Sequence, residues 1–190
     1  MPEATPRHPR LLDRRAAVLV VIDVQEAYRS VLHEYERVAR ATALLVQGAA
    51  ALGLPIVVTE QYPKGLGHTV PEVAEHLPAG TVPVQKMTMS CCGTPAFVST
   101  LAGLRRHQVV LAGIEAHACV NQTAHDLLAG GYAVHLVRET TSSRHPADAT
   151  VAWEKMLGAG VVPATLESAL LELVRSADTP EFKTIQRLIR

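Results

Sequence analysis

The sequence predicts an α/β protein in which helices cover both faces of a mainly parallel β-sheet. Short apolar runs alternate with helix-like segments along the chain, which is the pattern of strand–helix–strand units with right-handed crossovers. These runs are continuously apolar, as in residues 16–23 (AAVLVVID), and this indicates strands that are buried on both faces. A chain of 190 residues with 48% hydrophobic and 19% charged residues fits one globular domain.

The predicted domain spans residues 16–190, and residues 1–15 form an N-terminal tail that runs into the first strand. Residues 38–52 are rich in Ala and Leu and predict the first helix. Gly53 and Pro55 end this helix, because neither residue favours its continuation.

A second strand, a loop and a third strand follow the first helix. The apolar residues 55–59 (PIVVT) predict the strand, and the Gly and Pro residues of 60–69 predict the loop. A short helix is predicted at 71–76. Residues 81–86 (TVPVQK) predict the third strand, which Pro83 places near an edge of the sheet because proline cannot donate a ladder hydrogen bond.

The second half of the chain continues the alternation. Three more strands are predicted at residues 107–113, 132–137 and 161–163. Helices are predicted at residues 95–106, 118–129, 145–157 and 166–175. The final segment, 180–190, has apolar residues at helical spacing and predicts an amphipathic helix that packs on this domain or on a partner subunit. Those residues are Phe182, Ile185, Leu188 and Ile189.

Composition and charge exclude several classes of function. The formal net charge is zero, aromatic residues are few and there is no basic block, so we expect no nucleic-acid partner. No apolar run is long enough to span a bilayer, and the N-terminus lacks the apolar segment of a signal peptide. Three cysteines form a poor disulfide framework. They favour a reducing, cytoplasmic location.

Three chemically reactive residues follow three of the predicted strands. Asp23 ends the first strand, Lys86 ends the third, and Cys119 lies just past the fourth. Ligands of parallel α/β sheets bind beyond the carboxyl ends of the strands. We therefore expect the three side chains to converge at one edge of the sheet.

This combination of residues is suited to nucleophilic catalysis. Cys119 lies at a strand-to-helix turn, where the helix N-terminus is expected to lower the pKa of the thiol and free backbone amides can hold a negative oxygen. Asp23 can take the thiol proton and return it to a leaving group. Lys86 can hold the carboxylate in place. Cys119 alone would more often be a buried small side chain, and its two partners favour the nucleophile.

Three motifs carry a family resemblance. Ile22-Asp23-Val24-Gln25, Lys86 followed by Ser90, and residues 113–120 (GIEAHACV) resemble the signature regions of the isochorismatase-like cysteine hydrolases. The resemblance covers residues 16–175. Residues 59–67 (TEQYPKGLG) and 182–189 (FKTIQRLI) are similar to the isochorismatase domain-containing proteins within that family.

The resemblance implies a triad of Asp23, Lys86 and Cys119. It also implies a cis peptide between Ile114 and Glu115, and an oxyanion hole formed by the backbone N–H groups of Glu115 and Cys119. The implied fold is a three-layer α/β/α domain with a six-stranded, mainly parallel sheet. The implied assembly is a homo-oligomer, a dimer or a tetramer.

The resemblance also bears on metals and on substrate binding. Nicotinamidases in the family carry an Asp-x-His metal motif after the second strand, but this chain has Gln61, Tyr62 and Pro63 there. These are poor metal ligands, so we expect no metal and no cofactor. A small-molecule substrate is expected to contact residues of the loops and of the nucleophile turn. The candidates are Tyr28, Gln61, Tyr62 and His117.

The expected function is hydrolysis of a small amide or related C–N substrate through a thioester on Cys119. An isochorismatase-type vinyl-ether hydrolase is the alternative enzyme, since that chemistry needs no thiol. A catalytically silent binding protein that uses the same pocket is the alternative outside catalysis. Cys91 and Cys92 are adjacent, and because a disulfide between neighbours is strained we assign them to packing or to a pocket wall. Their role stays open.

Overall fold

A six-stranded parallel sheet forms the centre of the structure, a computed structural model that describes residues 7–190. The strands are β1 (Ala17–Ile22), β2 (Ile56–Gln61), β3 (Val84–Lys86), β4 (Gln108–Ile114), β5 (Ala133–Ser142) and β6 (Val162–Ala164). Their order is β3-β2-β1-β4-β5-β6, and every neighbouring pair is parallel. The order reverses between β1 and β4, the position where sheets of this kind bind ligands.

Helices cover both faces of the sheet. The helices are α1 (Tyr35–Ala51), α2 (Pro63–Leu66), α3 (Pro71–Ala74), α4 (Pro95–Gly103), α5 (Asn121–Ala129), α6 (Pro146–Ala159), α7 (Leu166–Val174) and α8 (Phe182–Leu188). Buried residues of α1, α3, α7 and α8 pack in one core. Those of α4, α5 and α6 pack in a second core on the opposite face. The predicted three-layer α/β/α fold is therefore confirmed.

Two strands are longer than predicted. Strand β2 continues through Gln61, where it pairs with Lys86 of β3. Strand β5 continues through Ser142, which pairs with Ile114 after an irregularity in the ladder. Both extensions are polar in sequence, so apolar patterning does not detect them. All of these residues except Arg138 and Glu139 are nevertheless buried, which brings hydroxyl and amide side chains to the carboxyl edge of the sheet.

The ends of the chain pack on the domain where the structure describes them. Leu12 lies in the predicted tail, yet its side chain is fully buried, and its N–H donates to Glu172 Oε2 at 2.8 Å. The first six residues of the predicted tail lie outside the described residues. At the other end, α8 forms as predicted and buries Ile185 against the core that contains α1. Within residues 7–190 no helix is both long and apolar enough to cross a membrane.

Candidate active site

The structure brings the side chains of Asp23, Lys86 and Cys119 together at the carboxyl edge of the sheet. Lys86 Nζ lies 2.6 Å from Asp23 Oδ2 and 3.4 Å from Cys119 Sγ. The Asp23 and Lys86 side chains are 2% and 0% exposed, and Cys119 is buried. One ammonium group thus contacts both the carboxylate and the sulfur, away from bulk water.

Lys86 is held at the end of the edge strand β3 by neutral oxygens as well as by Asp23. Its Nζ donates to Gln61 Oε1 at 2.7 Å and lies 3.1 Å and 3.2 Å from the carbonyl oxygens of Thr88 and Met89. Burial alone lowers the pKa of Lys86, but the charge of Asp23 and the hydrogen bond to it outweigh burial, so the pKa lies above its usual value. Lys86 is therefore a fixed cation at neutral pH.

Asp23 leaves β1 with an unusual backbone conformation. Its φ is 52°, in the left-handed region that Asp tolerates better than most residues. Its N–H still donates to the carbonyl of Thr59 at 3.2 Å, and the Thr59 hydroxyl donates to Oδ1 at 2.7 Å. Thr59 therefore occupies one carboxylate oxygen, and the other faces Lys86.

Cys119 lies in a π-helical turn, Ala116–Val120, that precedes α5. Burial raises the pKa of the Cys119 thiol to about 12, the negative charge of Asp23 adds to the increase, and Lys86 opposes it. The sequence-based expectation of a lowered pKa is wrong. The site lies four residues into a helix whose first turn is irregular, and loss of hydration together with a buried carboxylate outweighs the helix N-terminus. The resting sulfur is a neutral thiol.

Strand β4 approaches β1 closely just before this turn. Gly113 has a φ of 128°, and a Cβ there would overlap the backbone of Ile22. Glycine is needed at this position for both reasons. The peptide between Ile114 and Glu115 is cis. The turn that carries Cys119 starts directly after it.

The four candidate substrate-binding residues have different surroundings. Gln61 uses both ends of its amide within the protein: Oε1 accepts from Lys86, and Nε2 donates to the Met87 carbonyl at 2.9 Å. Tyr62 is 48% exposed and lines a cavity of about 370 Å³ that Lys86 also borders. Gln61 thus holds Lys86, and Tyr62 lies exposed at a cavity whose lining does not include Asp23 or Cys119.

Tyr28 and His117 are the other two candidates. Tyr28 is half-buried, and burial raises its pKa to about 12, with the charges of Glu115, Cys119 and Asp23 adding to the increase. The ring nitrogen Nδ1 of His117 lies 2.9 Å from Ser143 Oγ, which fixes the ring. His117 lies within the nucleophile turn itself.

Sequence patterns did not identify several residues that support the cluster. The Gln25 side chain is fully buried and joins the end of β1 to Gln61 through two hydrogen bonds of 2.8 Å and 3.0 Å. Thr59 orients Asp23, and Ser143 orients His117. Position along the chain was the signal that could have identified them, because each of these polar residues ends or follows a buried strand.

Neither Cys91 nor Cys92 forms a disulfide. Cys91 is fully buried, its N–H donates to Thr123 Oγ1 at 2.9 Å, and its Sγ lies 3.8 Å from Thr59 Oγ1. Burial raises the pKa of Cys91 to about 11. Cys92 is half-buried. Cys91 is therefore a packed neighbour of the residue that orients Asp23.

Among residues 7–190, no group of three or more His, Cys, Asp or Glu side chains is placed to hold a metal ion. The Gln61 amide, at the first position of the family's metal motif, is engaged at both ends by Lys86 and Met87.

Comparison with known proteins gives consistent matches. Residues 17–168 match the model of the isochorismatase domain. The isochorismatase domain-containing protein 1 of Salmo salar is 40% identical over 173 residues, which are 91% of this chain but 60% of the salmon protein. The secreted isochorismatase effector Isc1 of Phytophthora sojae is 38% identical over 191 residues, covering 98% of this chain and 90% of that protein. The chain thus spans about three fifths of the salmon relative's length.

Solved structures share the fold. The MAR1 ribonuclease of Caenorhabditis elegans is 40% identical and superposes with a TM-score of 0.90, covering 94% of this chain and 92% of that one. The YcaC gene product of Escherichia coli, described as an octameric hydrolase of unknown specificity, is 22% identical with a TM-score of 0.88, covering 97% and 92%. At 22% identity, the likeness to the E. coli protein concerns the fold alone.

Proposed function

Because the chain belongs to the isochorismatase-like hydrolase family, we propose that it hydrolyses a small amide or a related C–N substrate through a thioester on Cys119. The observation that carries the proposal is the buried contact of Lys86 with both Asp23 and Cys119. A buried ion pair beside a buried thiol supplies a base, a fixed cation and a nucleophile in one place.

The reaction begins from the neutral thiol. As Cys119 Sγ attacks the carbonyl carbon, its proton passes to Asp23, and the Lys86 ammonium at 3.4 Å stabilises the negative charge that develops on sulfur. Asp23 can accept a proton without losing its position, because Thr59 and Lys86 hold its two oxygens. The resting protein therefore needs no free thiolate.

The carbonyl oxygen becomes negative when the S–C bond forms. In this proposal the backbone N–H groups of Glu115 and Cys119 donate to it, which is the usual means of stabilising such an intermediate. The C–N bond then breaks, and the proton on Asp23 passes to the departing amine. Water attacks the thioester with Asp23 again as base, the C–S bond breaks, and the proton returns to sulfur as the acid leaves.

The vinyl-ether reaction is the alternative within the family. It needs no covalent bond to sulfur, so Cys119→Ala would retain activity in that case. A silent binding protein would show no turnover with either version of residue 119. The Cys119 thiol next to an Asp–Lys pair favours C–N hydrolysis over both alternatives.

RNA is a third candidate substrate, and the experiment must include it. The C. elegans relative is described as a ribonuclease and is 40% identical. The charge of the chain argues against RNA as the substrate. With 18 basic and 18 acidic residues, the chain has no electrostatic footprint for a polyanion.

We also propose that residues 16–190 act as one domain, that the protein self-associates as a dimer or a tetramer, and that it is cytoplasmic. Its three cysteines, none of them in a disulfide, support a reducing compartment. Two relatives differ from parts of this proposal: the E. coli protein is described as octameric and the P. sojae protein as secreted. Light scattering of the purified chain tests the assembly.

The test is a panel of amide and carbamoyl compounds scored for ammonia release, with vinyl-ether and RNA substrates in parallel. Cys119→Ala is compared with Cys92→Ala, which removes a half-buried thiol outside the cluster. The proposal predicts ammonia release that Cys119→Ala abolishes and Cys92→Ala retains. Ammonia release that survives in Cys119→Ala, or turnover of the vinyl ether or RNA alone, would overturn it.

A further inference from the structure

A basic cavity lies at the amino edge of the sheet, on the side of the molecule away from the candidate active site. Its volume is about 640 Å³, which is in the range of small-molecule sites. Four arginines that are far apart in sequence line it: Arg7, Arg14 and Arg15 precede β1, and Arg175 follows α7. Strand β1 separates the cavity from Asp23 by its six residues, or about 20 Å.

The chain segment that carries three of these arginines is held in place by buried contacts. Gln108, at the start of β4, is 4% exposed, and its Nε2 donates to the carbonyl oxygens of Pro9 and Leu11 at 3.3 Å and 3.0 Å. Its Oε1 accepts from the backbone N–H of Asp13 at 2.8 Å. Leu12, between them, is fully buried. The arginines on either side of this clamp therefore extend from a fixed backbone.

The fourth arginine stands where the backbone favours another residue type. Arg175 ends α7 with a φ of 65°, and its N–H donates to the carbonyl of Leu171 at 3.0 Å. Glycine or asparagine usually occupies such a left-handed position at the end of a helix, because other side chains are strained there. Helix termination therefore does not explain an arginine at position 175, whose side chain lines the cavity.

The positive charge of the cavity is only partly balanced. Two carboxylates, Asp13 and Glu181, line it together with the four arginines. Glu181 Oε1 lies 3.1 Å from Arg14 Nη1, and Asp13 Oδ1 accepts from the backbone N–H of Arg15 at 2.8 Å. Within residues 7–190, the guanidinium groups of Arg15 and Arg175 donate to no acceptor at hydrogen-bond distance, so both can bind a ligand.

Guanidinium groups bind phosphate through paired, charge-assisted hydrogen bonds, and several of them around one cavity suit a group with more than one negative charge. We propose that this cavity binds the phosphate groups of a small phosphorylated compound. Leu173 and Val174 also line the cavity and offer an apolar surface to the rest of such a ligand. Asp13 and Glu181 keep the surrounding surface from becoming a broad basic face, so the site suits a compact anion and not a long polyanion. The proposal is independent of the proposed hydrolysis.

Calorimetry with pyrophosphate and malonate tests the proposal on the full chain. Both probes are small anions with two charged ends, and only pyrophosphate carries phosphate groups. The test variant combines Arg15→Gln with Arg175→Gln, which changes two exposed side chains. The matched control combines Arg40→Gln with Lys155→Gln, which removes the same charge from exposed positions of α1 and α6.

We expect one pyrophosphate to bind per chain, about tenfold or more tightly than malonate. The test variant should weaken this binding about tenfold or more, as expected for the loss of charge-assisted hydrogen bonds, and the control should change it by less than about twofold. Thermal unfolding should show that both variants keep the fold, and Arg15→Gln alone should weaken binding by a smaller factor. No binding of pyrophosphate, malonate binding of equal strength, or equal losses in test variant and control would overturn the proposal. Cys119→Ala should retain the affinity, and a loss there would place the anion in the candidate active site and likewise overturn it.

Discussion

The Lys86 ammonium lies 2.6 Å from Asp23 Oδ2, and both side chains are almost completely buried. Each charge depends on the other, because a buried charge without a partner costs several kcal/mol. Since Lys86 also contacts Cys119 Sγ, the pair combines a structural function with its proposed catalytic one. Mutations of the pair should therefore affect stability and turnover together, and suitable combinations can separate the two effects.

Asp23→Asn should abolish turnover and lower the free energy of unfolding by about 3–5 kcal/mol, since it leaves Lys86 as an unpaired buried cation. Asn is chosen because it tolerates the left-handed backbone of residue 23. Adding Lys86→Met should restore much of the stability and none of the activity. Urea denaturation and ammonia release measure the two quantities. Turnover that survives in Asp23→Asn would show that Asp23 is not the base.

Cys119 should remain a neutral thiol well above neutral pH, because its pKa is raised to about 12. The ultraviolet absorbance of thiolate, taken as the difference between the wild type and Cys119→Ser, should not rise below about pH 10, although a model cysteine ionises near 8.5. The difference isolates Cys119 from Cys91, whose pKa is also raised. A midpoint below about 8 would mean that the helix N-terminus dominates after all.

The position of residues relative to the predicted strands identified more of the site than local sequence pattern did. Asp23, Lys86 and Cys119 were identified because each follows an apolar strand, and strand order in a parallel sheet brings such ends together. Thr59, Gln25 and Ser143 were missed because their role depends on which side chain stands opposite them. The pKa of Cys119 was wrongly predicted for a similar reason, since it depends on burial by distant segments.

The fold was likewise predicted where it depends on hydrophobicity and was missed where it depends on neighbouring strands. Apolar runs predicted all six strands, and Pro83 correctly placed β3 at an edge of the sheet. The polar end of β2 was assigned to a loop and the polar end of β5 was left outside the predicted strand, because strand pairing there is set by neighbouring strands and not by hydrophobicity. These polar ends are the parts of the sheet that carry the site.

Gly113→Ala should destabilise the protein by more than about 3 kcal/mol and reduce turnover, because a Cβ would overlap the backbone of Ile22 at a φ of 128°. The matched control is Gly158→Ala in α6, where nothing lies within 4 Å of the added Cβ. Helix propensity predicts that this control is stabilised by about 0.5–1 kcal/mol. Thermal and urea unfolding compare the two, and equal effects would contradict the close approach of β1 and β4.

His135 should make the fold sensitive to acid. Burial lowers its pKa from 6.5 to about 4, and its Nε2 has no hydrogen-bond partner among the described residues. Between these values the unfolded chain binds more protons than the folded one, so stability falls as the pH drops from about 6.5 towards 4, by up to about 3 kcal/mol. His135→Leu should remove that component. Urea unfolding at several pH values measures it, and an unchanged pH slope in the variant would refute the assignment.

The central claim is that the buried Cys119 thiol is the nucleophile of the site. Incubation with acrylamide at neutral pH, followed by peptide mass spectrometry, tests it most directly. We expect an adduct on Cys119 that forms faster than any adduct on Cys92. A Cys119 that stays unmodified in the folded protein while Cys92 reacts would contradict it.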